Sequence, residues 1–458
     1  MVKAKTIYNC QSCGASHPKW QGQCSQCGEW NTLVEEVLAP TTRGVANRKA
    51  FSEAQLKDRL VSWSQVKAKQ GDGERISTQI EEFDRVLGGV GGKTGIVPGA
   101  VMLLGGEPGI GKSTLLTQVV LNLVRQELSG PIFYVCGEES PQQIDLRINR
   151  ILIKENKKIS KKNLTFITTV DVDELVEIVK TQQPSLVVVD SIQAMTTSDL
   201  TGAPGSVSQV REAADRLAKV AKRLHIPMFL IGHVTKDGAI AGPKTLEHIV
   251  DAVLELSGER TGELRLLRTL KNRFGATDEV GVFRVDEVGL AQVNNPSEFF
   301  LEHAETAVPG SATTCVMEGT RPLLIEVQAL VVKSQLAMPR RVGRGIDLSR
   351  IQVLAAVLQK HCKQPLGSFD IFLSAAGGYK VTEPGVDLGL AMALVSSLKN
   401  KPLPQGSIFI GEVGLLGEIR QVSYLDRRLK EAKRLGFNQI YFKQTHRSVR
   451  ELLGELKI

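Results

Sequence analysis

Between about Ile76 and Asn295, short continuous apolar runs alternate with longer amphipathic stretches. Val101–Leu104, Ile132–Val135, Leu186–Val189 and Met228–Ile231 read as strands, and Leu115–Val124 as one of the intervening helices. Strands apolar on both faces and separated by helices predict a mainly parallel sheet covered on both sides. Asn294-Asn295-Pro296-Ser297 breaks the pattern. Beyond it, strand-like Leu323–Val332 and helix-like Arg350–His361 open a second α/β unit that runs to the C-terminus. At the other end, residues 1–34 form a compact Cys-rich unit. Residues 35–75 are polar and basic (Thr41, Thr42, Arg43, Arg48, Lys49, Lys57, Arg59) and read as a linker with one short helix. The expected organisation is therefore 1–34, a linker 35–75, a core 76–295 and a C-terminal domain 296–458.

Composition narrows the class. A chain of 458 residues is long for one core and predicts two or three domains. Apolar and charged fractions of 42% and 23% are those of a globular protein. No stretch reaches the roughly 20 apolar residues needed to span a bilayer, and MVKAKTIYNCQSCG lacks the apolar run of a secretory signal. The expected location is the cytoplasm, with no membrane partner. A net charge of +8 favours polyanionic partners without proving them.

Four of the 7 cysteines lie within the first 27 residues. Cys10-x-x-Cys13 and Cys24-x-x-Cys27 have the spacing of a tetrahedral four-thiolate zinc site. Gly14 and Gly28 suit the tight turns such a site needs, and no position is left open for water, so the Zn²⁺ is expected to be structural. His17 is a stray candidate ligand. Trp20 and Trp30 are expected to pack around the knuckles, with contact to a partner as the other reading.

The strand Val101–Leu104 runs into Gly106-Glu107-Pro108-Gly109-Ile110-Gly111-Lys112-Ser113-Thr114, the full G-x-x-x-x-G-K-S pattern in a strand–loop–helix setting. Glycines let backbone N–H groups curl around phosphates, and the helix N-terminus adds positive potential. Lys112 is expected to reach the β- and γ-phosphates of ATP, and the Ser113 hydroxyl to hold Mg²⁺. Leu186–Val189 ends in Asp190, the expected carboxylate near that Mg²⁺. Phe133–Cys136 leads into Gly137, Glu138 and Glu139. Glu138 is expected to be the base for the attacking water and Glu139 its assistant, against the plainer reading of an exposed acidic strand end. Gly91-Gly92-Lys93-Thr94 imitates a phosphate loop but has Leu87 in place of the first glycine and no preceding strand; it reads as an ordinary loop.

Ile80–Leu87 (IEEFDRVL), Val97-Pro98-Gly99, GGEPGIGKST, Gly137–Ser140 and Lys271-Asn272-Arg273-Phe274-Gly275 together resemble the RadA (Sms) family of bacterial recombination proteins. The resemblance covers essentially the whole chain, with KNRFG its most specific motif. Val90–Thr94 departs from it as a short insertion. The resemblance implies a zinc ribbon, a RecA-like ATPase core and a Lon-protease-like C-terminal α/β domain. It implies that Lys271 and Arg273 reach across a subunit boundary toward a neighbour's γ-phosphate; read without it, KNRFG is a basic turn between strands. It further implies a hexameric ring and a RecA-type recombinase as partner. His233 falls where RecA-like proteins carry a γ-phosphate sensor. Thr197–Ser208 and Thr235–Lys244, with Lys236 and Lys244, fall where they carry mobile DNA-binding loops. Laid on the Lon-like motifs, Asp387 occupies the position of the nucleophilic serine and Asp426 that of the lysine base. A carboxylate at each position cannot carry that acyl transfer, so the domain is expected to be an inactive peptidase and an assembly platform. Lys333–Arg344 and Arg350 form a basic segment able to follow DNA phosphates or to stand as a solvated loop. Lys154–Lys162 reads as a solvated loop.

The function expected on these grounds is a DNA-dependent ATPase. It binds single-stranded DNA and branched intermediates, and drives branch migration during recombinational repair. The alternative is a RecA-like signalling ATPase or kinase acting on protein.

Overall fold

The computed structural model describes residues 5–38, 75–90, 93–155, 163–233, 243–258, 263–301, 307–376 and 379–458. At the N-terminus, β1 (Lys5–Cys10) pairs antiparallel with β2 (Ser16–His17) and with β3 (Leu33–Leu38). The third strand continues past residue 34, so the ribbon extends into the stretch read as linker; 39–74 lie outside the described residues. Trp20 and Trp30 are not buried between the knuckles as expected: they are 58% and 67% exposed, with the Trp30 ring lying over Gly22. The small enclosed centre is made instead by Cys10, Cys24 and Leu33, with Tyr8, Cys13 and Ala15 against it.

Helix α1 (Glu81–Leu87) precedes a two-strand hairpin, β4 (Gly89–Val90) and β5 (Lys93–Thr94), where a loop was expected. Then come β6 (Val101–Gly105), α2 (Lys112–Arg125), β7 (Ile132–Cys136), α3 (Pro141–Glu155), β8 (Leu164–Ile167) and α4 (Val172–Gln182). They are followed by β9 (Leu186–Asp190), α5 (Val207–Leu224), β10 (Met228–Ile231), α6 (Pro243–Leu246) and β11 (Ala252–Ser257). The segment closes with β12 (Leu264–Asn272), β13 (Val280–Asp286) and β14 (Gly289–Gln292). These form one sheet in the order β14-β13-β12-β11-β6-β10-β9-β7-β8. From β11 to β8 it is parallel, and β12, β13 and β14 extend it antiparallel.

Alternation along each strand sends side chains to opposite faces. Met102, Leu104, Tyr134, Val188 and Phe229 join Leu115, Val119 and Phe83 in one core. Val101, Leu103, Val135, Val189 and Leu230 join Val172, Val210 and Leu217 in the other. Helices on both faces are why these strands carry continuous apolar runs. The Thr197–Ser208 loop is less free than its composition suggested. Thr197 N–H donates to the Gln209 Oε1 at 2.8 Å, and Gln209 Nε2 donates to the carbonyls of Leu200 (2.9 Å) and Gly202 (3.1 Å).

The boundary between two compact units falls between Gln292 and Val293, three residues before the expected boundary between 295 and 296. The second unit opens with α7 (Pro296–Phe300), β15 (Ser311–Glu318), β16 (Arg321–Lys333), β17 (Arg341–Arg344), α8 (Leu348–Cys362) and β18 (Phe369–Ala375). It continues with α9 (Asp387–Lys399), β19 (Ser407–Phe409), β20 (Glu412–Val413), β21 (Ile419–Arg420), α10 (Leu425–Arg434), β22 (Gln439–Tyr441) and α11 (Val449–Leu456). Its main sheet runs β15-β16-β18-β17. Helix α9, buried from Asp387 through Ser396, packs on β16 and β15, which explains its apolar residues on every side. Among the described residues no helix is long and apolar enough to cross a membrane.

Candidate nucleotide site

Glycine is required where β6 turns into the loop. Gly106 has φ 152°, and a Cβ there would lie 2.4 Å from the Leu256 carbonyl oxygen, so any side chain would collide with neighbouring backbone. The turn delivers Gly111 and Lys112 to the start of α2, whose first N–H groups face the loop. Lys112 is folded back on this loop: its Nζ donates to the carbonyls of Gly106 (2.9 Å) and Glu107 (3.0 Å). Burial holds its pKa below the ordinary value, against the opposing pull of Asp190 and Glu138.

The strands β9 and β7 bring two carboxylates to the same end of the sheet. Asp190 is buried, accepts from the Tyr134 hydroxyl at 2.8 Å, and is hydrogen-bonded to Ser113. Desolvation raises its pKa despite those two bonds. A Ser hydroxyl and a carboxylate meeting beside a phosphate loop form the oxygen donor set that suits Mg²⁺. Glu138 accepts from the Ser191 hydroxyl and lies 3.2 Å from His233 Nε2. The His233 bond, with Ser191, holds the Glu138 pKa below its ordinary value despite partial burial. The other ring nitrogen, His233 Nδ1, is 3.2 Å from Lys112 Nζ. One imidazole thus touches both the lysine of the loop and the acid opposite it. Glu139 turns away and pairs with Arg147, which leaves Glu138 alone facing the loop.

Lys271 and Arg273 are not brought to this site. In register, β11 places Ala252 beside Met102 and Asn272, and Glu255 beside Gly105. Arg273 therefore lies at the beginning of β6, about 16 Å in strand length from Gly106 at its end. There Arg273 pairs with the buried Asp251 at 3.2 Å, which also takes Lys222 at 3.0 Å and the Val101 N–H at 3.1 Å. Lys271 Nζ donates to the carbonyls of Val250 (2.9 Å) and Glu247. The turn carrying them is fastened to α1: Asn272 Nδ2 donates to the Leu87 carbonyl at 3.0 Å, and Arg75 bridges the Gly88 and Phe274 carbonyls. The two family-specific stretches, IEEFDRVL and KNRFG, are thus parts of one junction.

Sequence reasoning missed Tyr134, Ser191, Arg147 and Asp251. Each had a signal: a tyrosine inside an apolar strand, a serine next to the strand-end aspartate, an arginine nearly two turns into α3, and an aspartate directly before β11. Residues 234–242 lie outside the described residues, and with them Lys236; the side chain of Lys244 does too, as do 156–162.

In the ribbon, Cys10 Sγ lies 3.6 Å from Cys27 Sγ and Cys13 Sγ 3.7 Å from Cys24 Sγ, and all four sulfurs fall within 4.8 Å of one another. Tetrahedral Zn–S bonds of about 2.3 Å put sulfurs about 3.8 Å apart, so the four cysteines fit zinc. His17 is not among the four: its Nε2 lies 3.4 Å from Cys24 Sγ and its Nδ1 2.7 Å from Gln21 Nε2, the contacts of a residue that supports a thiolate.

In the second unit Asp387 is buried at the start of α9, 3.5 Å from Arg350 Nε, with its Oδ1 lacking a hydrogen bond. Burial pushes its pKa up to about 6, against the pull of Arg350. Asp426 lies in the first turn of α10. Part of the basic segment is spent internally. Arg341 donates to the Leu366 and Phe369 carbonyls, and Arg350 to those of Thr382 and Glu383. Lys333, Arg340 and Arg344 remain exposed.

The chain matches an AAA domain over residues 76–239, a rubredoxin metal binding domain over 8–35, and the subunit ChlI of Mg-chelatase over 333–445. It is 47% identical over 439 residues to the DNA repair protein RadA of Pseudomonas aeruginosa, covering 96% of this chain and 93% of that one. To the RadA proteins of Bacillus subtilis and Escherichia coli it is 45% and 43% identical, with the same coverage. Together these findings make it a RecA-like, ATP-hydrolysing enzyme with a zinc ribbon ahead of the core and a Lon-like domain after it. The chain belongs to the RadA family of DNA repair proteins.

Proposed function

We propose that this chain is a DNA-dependent ATPase of recombinational repair. In this reading it binds single-stranded DNA and moves along it as a hexameric ring, driving branch migration of recombination intermediates. One observation carries the reading: Lys271 and Arg273 stand at the opposite end of the sheet from Lys112 in their own chain. Cations so placed can serve a nucleotide only when that nucleotide belongs to a neighbour. ATP turnover then happens at a seam, and each hydrolysis event is felt by two subunits.

Within the seam, Gly106 through Thr114 cradle the phosphates and Lys112 exchanges its two carbonyl partners for phosphate oxygens. Ser113 and Asp190 are the residues that would hold Mg²⁺, which would supply positive charge beside the phosphates. Glu138, held ionised, accepts the proton of the attacking water. Lys271 and Arg273 of the adjoining copy stabilise the negative charge that develops. His233 links this centre to the 234–242 segment directly after it, the position proposed to hold DNA. Loops that follow β9 and β10 leave the sheet at its nucleotide end, which supports coupling between the two ligands. Partnership with a RecA-type recombinase rests on family resemblance.

The test is ATP turnover with and without single-stranded DNA, together with branch migration on a synthetic three-strand intermediate. Stimulation by DNA and ATP-dependent strand displacement are expected. Turnover indifferent to DNA, with movement of no branch point, favours the signalling alternative and removes this reading.

A further inference from the structure

The second unit contains a cavity of about 560 Å³ on the face of its sheet that α9 does not cover. Its position follows from register. Gln328 lies beside Ser374, and Ser374 beside Arg344; one step along, Leu330 lies beside Phe372 and Phe372 beside Val342. The result is a polar row next to an apolar row on one surface. Glu326 lies at the polar end and is only 3% exposed. Its Oε1 accepts from Ser311 Oγ at 2.6 Å and from Gln328 Nε2 at 3.0 Å. Both donors are neutral, and among the described residues no lysine, arginine or histidine pairs with this carboxylate. A buried carboxylate is normally matched by a cation. Here a cavity of ligand size, mostly apolar with a few convergent polar groups, stands where the cation belongs.

We propose that this cavity binds an organic monocation: an ammonium or guanidinium group on an apolar stem. The head sits on Glu326 and the stem lies along Leu330 and Phe372. Arg344, exposed at the rim, repels a second positive charge, so a polyamine is a poor occupant. A ligand with an anionic tail is a good one. The head can come from a free amine or from a lysine of a peptide, since both present the same chemistry. The site shares no residue with the nucleotide centre and does not include Asp387, and it does not depend on the function proposed above.

The experiment uses the full chain and isothermal titration, with thermal unfolding as a second readout. The probes are 2-phenylethylamine and its anionic counterpart 3-phenylpropionate. The amine is expected to bind and raise the unfolding midpoint, and the acid to do neither. Glu326→Gln keeps an oxygen for Ser311 and Gln328 and is expected to weaken the amine about tenfold or more. Arg344→Ala, at an exposed position, is expected to tighten it; this variant decides the matter should Glu326→Gln fail to fold. An N-acetylated Leu-Lys-Leu amide, compared with its lysine-acetylated form, separates the sources. Binding of the unmodified peptide alone indicates a protein lysine, whereas binding of the amine without the peptide indicates a small metabolite. Equal binding of amine and acid, or an amine affinity unchanged in both variants, overturns the proposal.

Discussion

His233 stands between two groups with opposite needs. In the proposed mechanism Lys112 has to stay protonated to hold phosphates, and Glu138 has to stay ionised to take a proton from water. Its ring nitrogens lie 3.2 Å from each, Nδ1 from the ammonium and Nε2 from the carboxylate, so one side chain positions both. The hydrogen bonds from His233 and Ser191 keep Glu138 below the ordinary value of 4.5, so it is ionised through the whole working range. Glu138→Gln is therefore expected to bind ATP normally and to lose turnover by about a hundredfold or more, checked by equilibrium nucleotide binding beside steady-state rates. The alkaline side belongs to Lys112. Burial lowers its pKa from 10.5, so in the free enzyme the ammonium is lost as pH rises, before an ordinary lysine would lose it. kcat/KM for ATP, which reports free-enzyme groups, should fall at a pH below 10.5. Lys112→Arg, whose guanidinium does not titrate there, should keep its residual activity flat over the same range. A wild-type limb no earlier than 10.5 would contradict this.

At the scale of elements, the centre of the parallel core was legible because β6, β7, β9 and β10 are short apolar runs, whereas β8 (Leu-Thr-Phe-Ile) and β11 (Ala-Val-Leu-Glu-Leu-Ser), mixed in polarity, were not read as strands. Val101–Leu104 and Leu186–Val189 needed no tertiary information. The antiparallel extension was not: β12 reads Leu-Arg-Leu-Leu-Arg-Thr-Leu-Lys-Asn, half-buried and mixed in polarity, and only its pairing with β11 and β13 makes it a strand. In the site, the phosphate loop and the strand-end acids were readable from spacing. That Glu139, expected to assist Glu138, pairs with Arg147 instead was not, since it depends on Arg147 arriving from α3, while Ser191, directly after β9, holds Glu138. The end of β12 yields a test of the seam. Lys112→Ala chains and Lys271→Ala chains, each inactive alone, are expected to regain part of the turnover when mixed. If the chain assembles as the proposed ring, a mixed one contains seams with an intact loop on one side and an intact lysine on the other. No recovery from co-assembled mixtures would return Lys271 to a purely structural role at the Val250 carbonyl. The start of α9 gives a second prediction. The raised Asp387 pKa means that its ionisation costs stability as pH rises from 3.8, its ordinary value, to about 6, and the full cost persists above 6. Asp387→Asn should therefore stabilise the second unit at pH 7.5 by roughly 3 kcal/mol. The advantage should shrink below pH 6, as thermal unfolding across pH would record.

On the scale of the whole molecule, charge is unevenly shared. The chain carries +8 overall, while residues 5–38 hold two lysines (Lys5 and Lys19) against three glutamates (Glu29, Glu35 and Glu36). If DNA is bound as proposed, the ribbon itself, net acidic over 5–38 and with Trp20 and Trp30 exposed, is poorly suited to supply the phosphate contacts. A salt series separates these contributions. If phosphates carry the contact, the logarithm of affinity for single-stranded DNA should fall linearly with the logarithm of salt, with a slope of about −0.7 per phosphate engaged. Replacing Lys333 and Arg344 together should flatten that slope, because both are exposed and Arg341 and Arg350, already spent on carbonyls, cannot stand in for them. Replacing Trp20 and Trp30 with alanine should leave the slope as it was, since removing aromatic rings releases no counterions. Should the tryptophan pair change the slope and the basic pair leave it alone, the strand runs over the ribbon, and the sheet of the second unit is free for other ligands.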